Sequence, residues 1–395
     1  MRIIAPCAAL LAACATSSPT KPPADAHAAE LHKRAIVVDA HSDITEAIVY
    51  AGYDFAVRHP ESETSEDLPR LREGGLDAQI FAIWINPERF PKEKWFAEAE
   101  HELQAAREAL GKVPGMALAR TAREVRENEA KGITSALFGV EGGYMLEPGT
   151  PDEQLAHLRR FAELGARYLT LTHGKASSLG GSSTDELSDG LGLTDFGRRA
   201  LEEMDRLGVV IDLSHVSDPL FWDAIRAAKK PVIASHSSSR TLANVPRNLT
   251  DAMVRAVGKN GGAVCVNFYP GFLDRKTYDE TKNAEAELEK AGVYTHKLST
   301  AERRKTFLPL NSRINHADIG TLSDHIVKLI ELAGPDHVCL GSDFDGIPFP
   351  PRGLEDASKL PALTQELVRR GLGDETITKL LGGNLLRVLE ANEAH

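Results

Sequence analysis

The sequence predicts an α/β protein built as a closed (β/α)8 barrel of the TIM type. Eight short apolar runs alternate with longer amphipathic stretches, which is the pattern of repeated strand and helix units over a parallel sheet. Six of these runs end on a histidine, a glutamate or an aspartate. Eight such units are the number that closes this barrel, and its active sites are built at the carboxyl ends of the strands.

The eight predicted strands are short and rich in aliphatic side chains, as expected for strands buried on both faces. They are "AIVVDAH" ending at His41, "AQIFAIWI" ending near Asn86, "SALFGVE" ending at Glu141, "RYLTLTH" ending at His173, "VVIDLSH" ending at His215, "PVIASH" ending at His236, "AVCVNF" starting near Ala263 and "VCLGSD" ending at Asp343.

Several of the stretches between the strands predict helices, because their apolar residues recur at spacings of three and four. The predicted helices include 96–110, 151–164, 194–207 and 218–229. In "LTDFGRRALEEMDRLG", Thr194 is a candidate N-cap and Gly208 stands just past the predicted end.

A doubly wound open sheet is the alternative architecture. Its nucleotide-binding form requires a glycine-rich turn after the first strand, and "DAHSDITEA" contains no glycine. The barrel is therefore the favoured fold.

One segment interrupts the repeated units. Residues 268–320, after the seventh predicted strand, are long and highly charged, and loops of this length are often functional. We expect either a partly helical lid over the mouth of the barrel or a surface insertion without a role in catalysis.

The N-terminus predicts processing and anchoring. "MRIIAPCAALLAAC" combines one basic residue with an apolar run too short to span a bilayer. "LAAC" at 11–14 resembles the bacterial lipobox, which implies that 1–13 is a signal peptide and that Cys14 carries lipid; an ordinary signal peptide is the alternative. The polar stretch 14–30 predicts a flexible tether before a single catalytic domain at 31–395. The protein would then face the periplasm, anchored to a bacterial inner or outer membrane.

Charge and cysteine content limit the partners and the redox chemistry. The net charge of −11 and the lack of a sustained Lys or Arg run argue against nucleic acid and favour a small-molecule or peptide substrate. Cys265 and Cys339 lie in apolar runs and predict buried free thiols. A disulfide between them would require their strands to be adjacent.

The first predicted strand ends in polar residues that an apolar strand should not carry inward. Alternation along "VVDAHSD" would place Val37, Asp39, His41 and Asp43 on one face. An imidazole and a carboxylate at one strand end can ligate a metal ion, while a hydrogen-bonded pair is the alternative. Asp39 could orient a ligand or cap backbone amides.

Three further ligand-type groups stand at other strand ends. A barrel would direct Glu141, His215 and His236 toward the same central volume as His41 and Asp43. Five such groups exceed the needs of one zinc ion, so the pattern predicts two metals that share a carboxylate. Glu141 is the natural bridge, since each of its oxygens can bind one ion.

The motifs taken together resemble those of the membrane dipeptidase (renal dipeptidase) family of zinc peptidases. The resemblance spans roughly residues 35–391 and rests on "DAHSD", "GVEGG", "RYLTLTH", "GLTDFG", "VIDLSHVS", "SHSSSR", "VPRNLTD", "GSDFDG" and "NLLRVLE". It implies a (β/α)8 barrel, a dipeptide substrate, two Zn²⁺ ions and a homodimer.

The resemblance also implies a role for each site residue. His41, Asp43 and Glu141 would hold one zinc, and Glu141, His215 and His236 the other, with a hydroxide between the ions as nucleophile. It further implies that His173 and Arg247 contact the substrate and that Asp343 transfers protons. His173 would stabilise the oxyanion and Arg247 would bind a free carboxylate. Alternation does not decide between Asp343 and Asp345, whereas the resemblance favours Asp343.

Two other functions compete with this interpretation. One is a different binuclear amidohydrolase acting on a β-lactam or cyclic amide; such enzymes usually carry His-x-His on the first strand, whereas this chain has His-x-Asp. The other is a non-catalytic binding lipoprotein, which would be expected to have lost ligands. All five predicted ligands are present.

Overall fold

A ring of parallel strands forms the centre of the molecule. The computed structural model describes residues 24–188 and 190–393, and its nine strands are β1 (Val38–Ser42), β2 (Ala78–Ile83), β3 (Met116–Leu118), β4 (Thr134–Glu141), β5 (Ala166–Thr170), β6 (Val210–Asp212), β7 (Ile233–Ser237), β8 (Ala263–Val266) and β9 (Val338–Leu340). Their order is β2, β1, β9, β8, β7, β6, β5, β4, and parallel pairing of β2 with β4 closes the ring. The predicted eight-stranded barrel is confirmed.

The strand β3 was not predicted. It is three residues long, lies outside the ring and pairs only with the beginning of β4. A run as short as "MAL" has too few residues to show a periodicity.

Helices surround the ring. Within the described residues they are α1 (Ala24–Arg34), α2 (Thr45–Tyr50), α3 (Leu68–Glu73), α4 (Trp95–Gly111), α5 (Ala122–Glu129), α6 (Pro151–Leu164), α7 (Asp195–Leu207), α8 (Asp218–Ala227), α9 (Asp251–Asn260), α10 (Pro270–Leu273), α11 (Arg275–Lys290), α12 (Thr300–Phe307), α13 (Asn311–Ile314), α14 (Ile319–Ala333), α15 (Leu360–Arg369), α16 (Asp374–Thr378) and α17 (Asn384–Asn392). The four predicted helices correspond to α4, α6, α7 and α8. The predicted caps of α7 are also present: Thr194 accepts a hydrogen bond from the Gly197 amide at 2.9 Å, and Gly208 has φ 71°.

Two apolar layers stabilise the barrel. The larger lies between strands and helices and includes Val37 and Leu169. The smaller fills the barrel interior and includes Val38, Ala40 and Tyr168. Residues of α17 join this interior layer and pack near β1, β8 and β9, so that the amino-terminal end of the barrel is closed.

Bulges interrupt β1 and β7 where ligand-type histidines stand. Between Asp39 and Ser42, two residues of β1 oppose one residue of β2, and β7 shows the same irregularity against β8 between Ala234 and Ser237. A bulge redirects side chains locally. His41 therefore contacts the interior Tyr168, whereas Asp39 accepts a hydrogen bond from the Ser342 amide at 2.8 Å. The expectation that alternation places Asp39 and His41 on one face is wrong for this reason, and Asp39 caps backbone amides.

The two cysteines of the barrel are joined. Cys265 and Cys339 are directly opposite each other on β8 and β9 and form a disulfide. The prediction of free thiols is therefore wrong. The alternative, a disulfide, required adjacent strands, and β8 and β9 are adjacent.

The folded region begins earlier than the sequence predicted. The expected tether ends at residue 30, but helix α1 starts at Ala24, with Ala28 and Leu31 buried on the same face. His32 Nδ1 bonds Thr364 Oγ1 of α15 at 2.7 Å. The alanines favour a helix, and docking on α15 stabilises it.

The predicted signal peptide 1–13 and the lipid-bearing Cys14 lie outside the described residues. In the described part of the chain no helix has the length and apolar character needed to cross a membrane.

The charged insertion at 268–320 is mostly helical and contributes α10 to α13. It is attached to the barrel rim at several points. The Thr300 amide donates to Glu46 Oε2 at 2.8 Å, Asn86 Nδ2 donates to the His296 carbonyl at 2.9 Å, and Arg304 Nη1 donates to Ser65 Oγ at 2.6 Å.

Candidate metal centre and active site

The five predicted ligands converge at the carboxyl-terminal end of the barrel. Glu141 is the last residue of β4, and its carboxylate lies at the centre of the cluster. Glu141 Oε1 is 3.0 Å from His215 Nε2 and 3.3 Å from His236 Nε2. Its other oxygen, Oε2, is 3.5 Å from His41 Nε2, which in turn is 3.7 Å from Asp43 Oδ2.

Three overlapping groups of possible ligands occupy this volume. In each group the ligand atoms lie within 4.8 Å of one another; the groups are His41, Glu141 and His236; Glu141, His173 and His215; and His41, Asp43 and Asp343. His41 Nε2 is buried and has no hydrogen-bond partner. An orphaned buried nitrogen beside carboxylates and further imidazoles fits the N and O donor set that zinc prefers.

The electrostatic environment favours neutral imidazoles at His215 and His236 and an ionised carboxylate at Glu141. Burial lowers the pKa of His215 and of His236 well below the usual value, and so keeps both imidazoles neutral. Burial alone would raise the pKa of Glu141, but His41 and His173 around it bring that pKa well below the usual value. His215 and His236 are thus neutral imidazoles beside an ionised carboxylate. Burial would lower the pKa of His41, but Tyr168 and Glu141 raise that pKa well above the usual value, so metal binding at His41 would displace a proton.

Asp343 and His173 border the cluster. Asp343 has a left-handed backbone with φ 61°, and its Oδ2 accepts a hydrogen bond from Asn267 at 2.8 Å. Burial and the neighbouring Asp43 raise the pKa of Asp343 well above the usual value. His173 Nε2 is 3.9 Å from Glu141 Oε1. Asp345 instead bonds Thr64 and the Ser65 amide, away from the cluster.

Arg247 is a buried guanidinium beside the cluster. It is 5% exposed, it lies over the Phe272 ring at 5.2 Å, and its Nη1 has no hydrogen-bond partner. Burial lowers the pKa of Arg247 to about 10. A buried guanidinium with an unused donor is suited to bind an anionic group of a ligand.

A cavity of about 480 Å³ opens over these residues. The predicted residues Asp43, Glu141, His173, His215, Arg247 and Asp343 line it. Residues that the sequence did not single out complete the wall: Trp84, Asn86 and Thr184 from the barrel loops, and Tyr269, Tyr278, Lys282, Glu285, His296 and Arg303 from the insertion. The insertion therefore forms one wall of the pocket.

Two residues that contact the predicted site had no role assigned from the sequence. Tyr168, inside the quoted "RYLTLTH", bonds His41 Nδ1 through its hydroxyl at 2.7 Å. Gly139 of β4 leaves space for the Tyr168 ring, since any side chain there would collide with it. A small residue facing a large one on adjacent strands is the signal that could have revealed this contact. Asn267 lies in the predicted strand "AVCVNF", and its hydrogen bond to Asp343 was not predicted.

This fold and this cluster define a class of protein: metal-dependent hydrolases that hold their metal at the carboxyl-terminal mouth of a (β/α)8 barrel. Comparison with known proteins makes the class specific. Residues 25–395 match the membrane dipeptidase family, peptidase family M19. An uncharacterized dipeptidase of Schizosaccharomyces pombe is 33% identical over 393 residues, which cover 92% of this chain and 82% of that protein.

Solved structures share this fold, and a relative that is 26% identical supports the assignment. A probable dipeptidase from Pseudomonas aeruginosa, PvdM, superposes with a TM-score of 0.78 at 24% identity, covering 93% of this chain and 98% of the other. A metallo peptidase from Rhodobacter sphaeroides, liganded with a phosphinate mimic of the dipeptide L-Ala-D-Ala, has a TM-score of 0.70 at 26% identity, covering 91% and 100%. The chain belongs to the membrane dipeptidase family and is a metallo-dipeptidase.

Proposed function

We propose that the enzyme cleaves dipeptides with two zinc ions, which share Glu141. One ion would be held by His41, Asp43 and Glu141, and the other by Glu141, His215 and His236. The observation that supports this most strongly is the position of Glu141, because each of its oxygens faces a different imidazole. Two zinc ions held there would polarise the peptide carbonyl and would lower the pKa of a water between them enough to supply a hydroxide as the nucleophile.

The protein side chains supply the rest of the chemistry. His173 lies at the edge of the cluster and lines the cavity, where its Nε2 can donate to the oxygen of the substrate carbonyl as negative charge develops. Asp343, held by Asn267 and facing the same cavity, would accept the proton of the attacking water and deliver it to the leaving amine.

Arg247 would restrict the enzyme to short substrates. Its buried guanidinium with an unused Nη1 can pair with the free carboxylate at the C-terminus of a dipeptide. A longer peptide would carry an amide at that position and leave a buried charge unpaired. The Rhodobacter sphaeroides relative bound to an L-Ala-D-Ala mimic supports the inclusion of dipeptides with a C-terminal D-residue.

We also propose that the insertion acts as a lid. Lys282 and Glu285 of α11 and Arg303 of α12 line the cavity and pair with one another, with Glu285 Oε1 3.0 Å from Arg303 and Oε2 2.8 Å from Lys282. The Glu285–Arg303 pair links α11 to α12, whereas the Lys282–Glu285 pair lies within α11. The lid would exclude water from the cavity during reaction.

The location and assembly are proposed on the sequence alone. The "LAAC" stretch supports a lipid on Cys14 and attachment to a bacterial membrane on its periplasmic side. Replacing Cys14 with Ser should release the enzyme from the membrane fraction. The homodimer rests on the family resemblance, and sedimentation of the purified enzyme tests it.

Metal removal and restoration tests the proposed activity. The purified enzyme should hydrolyse a panel of L,L- and L,D-dipeptides, lose this activity on treatment with a chelator, and regain it with zinc. Metal-dependent cleavage of a β-lactam or cyclic amide, with none of the dipeptides cut, would favour the alternative amidohydrolase.

A further inference from the structure

A buried aspartate lies in the barrel interior beneath the cluster of candidate metal ligands. Asp212 ends β6, shares the inward face with Val210, and is completely buried. Its Oδ1 accepts from the amides of Ser214 at 3.1 Å and Ser235 at 2.8 Å. Its Oδ2 accepts from the hydroxyls of Thr170 at 2.5 Å and Ser235 at 2.6 Å. All four contacts come from donors, so the carboxylate acts as an acceptor only.

Ser235 connects this carboxylate to a predicted zinc ligand. Its Oγ is 2.6 Å from Asp212 Oδ2, 2.8 Å from His236 Nδ1 and 3.4 Å from Ser214 Oγ. The hydroxyl has one proton, and the short contact to a carboxylate is the strongest of the three. The proton therefore points at Asp212, and Ser235 Oγ must accept a hydrogen bond from His236 Nδ1–H.

This arrangement determines which nitrogen of His236 carries its proton. With the proton on Nδ1, the lone pair of Nε2 faces Glu141 Oε1 at 3.3 Å. The other imidazoles of the cluster lack such a constraint. His215 Nδ1 is buried without a partner, and His41 Nδ1 meets the Tyr168 hydroxyl, which can either donate or accept.

We propose that Asp212, acting through Ser235, is the positioning residue that sets the tautomer of His236 and so prepares Nε2 to bind metal. Outer partners of ligating histidines commonly have this effect. The consequence for zinc rests on the proposed function, whereas the tautomer itself does not. Asp212 contacts neither metal nor substrate and acts only through Ser235 and His236.

The substitution Asp212→Asn provides a sharp test because it reverses the chain of hydrogen bonds. The side-chain oxygen of the substituted residue must accept from the backbone amides of Ser214 and Ser235, so its side-chain NH₂ group faces Ser235 Oγ. Ser235 then turns its proton toward His236 Nδ1, which at 2.8 Å is closer than the other remaining acceptor, Ser214 Oγ at 3.4 Å. The imidazole proton moves to Nε2, where it blocks the metal. A similar tautomer error accompanies the Asp to Asn change in a serine protease triad.

The experiment compares Asp212→Asn, Ser235→Ala and Thr170→Val. The Thr170 variant is the matched control, because it removes a hydroxyl from the same Asp212 oxygen but leaves Ser235 and His236 connected. The first readout is ¹⁵N NMR of the histidines in the metal-free enzyme. The second is zinc titration of the whole protein, monitored by the dissociation constants of the two ions.

We expect wild type and Thr170→Val to show His236 protonated on Nδ1, Asp212→Asn to show it on Nε2, and Ser235→Ala to show a mixture. One of the two zinc dissociation constants should rise about 10 to 100-fold in Asp212→Asn and Ser235→Ala. An Nδ1 proton in all variants, or equal effects of Asp212→Asn and Thr170→Val, would overturn the proposal. If Asp212→Asn does not fold, the His236 tautomer and the zinc dissociation constants of Ser235→Ala test the proposal in its place. Wild type that binds no zinc would contradict the proposed function, while the tautomers would still decide the role of Asp212.

Discussion

His215 Nε2 and His236 Nε2 lie only 2.9 Å apart, and both are within 3.3 Å of Glu141 Oε1. Burial lowers the pKa of both histidines well below the usual value. Lone pairs of neutral imidazoles repel each other at this distance unless a cation or a proton stands near them. An N–H···N hydrogen bond from one imidazole to the other satisfies this contact in the metal-free protein, and a metal ion held by both nitrogens would satisfy it in the loaded enzyme.

Arg247→Lys should lower kcat/KM for substrates with a free carboxylate more than for amidated substrates. A lysine keeps the charge but loses the planar fork, and a charged hydrogen bond is worth about 1.5–3 kcal/mol, or roughly 10 to 100-fold in kcat/KM. The measurement compares a dipeptide with its C-terminal amide. Arg240→Lys is the control, because Arg240 pairs with Asp218 outside the cluster. Equal losses on both substrates would make Arg247 a structural residue.

Asp343→Asn should lower kcat by about 10² to 10⁴-fold and remove the acid limb of the pH profile. Asp343 must be deprotonated to accept a proton, and its pKa is raised by burial and by Asp43. Activity of the native enzyme should therefore increase as pH rises through a value above about 3.9, the usual pKa of aspartate. A variant that retained the same acid limb would show that another group titrates.

Gly346→Ala should reduce both zinc content and turnover while leaving the fold intact. A Cβ at this position would collide with Asp43 Oδ2 and Asp343 Oδ1, and so would separate the two carboxylates. Gly373→Ala serves as the control, since a Cβ there meets no atom within 4 Å. Metal analysis and dipeptide assays of both variants are the measurements. Normal zinc binding in Gly346→Ala would mean that the position of Asp43 is not critical.

Tyr168→Phe should raise one zinc dissociation constant by about 10 to 100-fold, because His41 Nδ1 loses its hydrogen bond while the ring still packs in the barrel. Tyr144→Phe is the matched control: it removes a buried hydroxyl that donates to the Ile85 carbonyl at 2.6 Å and contacts no predicted ligand. Zinc titrations that coincide for the two variants would contradict a positioning role for Tyr168.

The barrel and the candidate ligands were predictable because they share one pattern. Each of His41, Glu141 and His236 follows an apolar run, and the carboxyl ends of parallel strands meet at one mouth. A resemblance in motifs then distinguished the ligands from other histidines. The order of the strands and the closure of the ring follow from the same repeated units.

The finer geometry depends on contacts between distant parts of the chain. Alternation fails at His41 because a bulge inserts one residue into β1. It does not apply to His215 and Asp343, because each lies three residues beyond the end of its strand, β6 or β9, and has a positive φ. The disulfide depends on the adjacency of β8 and β9. These features follow from pairing in three dimensions.

The most direct test of the account is the number of zinc ions per chain in the wild type and in Glu141→Gln, measured on the same day as dipeptide hydrolysis. We expect close to two ions in the wild type. A neutral amide is a poor bridging ligand, so Glu141→Gln should bind less zinc and lose more than about 100-fold in activity. Two zinc ions and normal turnover in Glu141→Gln would remove Glu141 from the centre of the site and contradict the account.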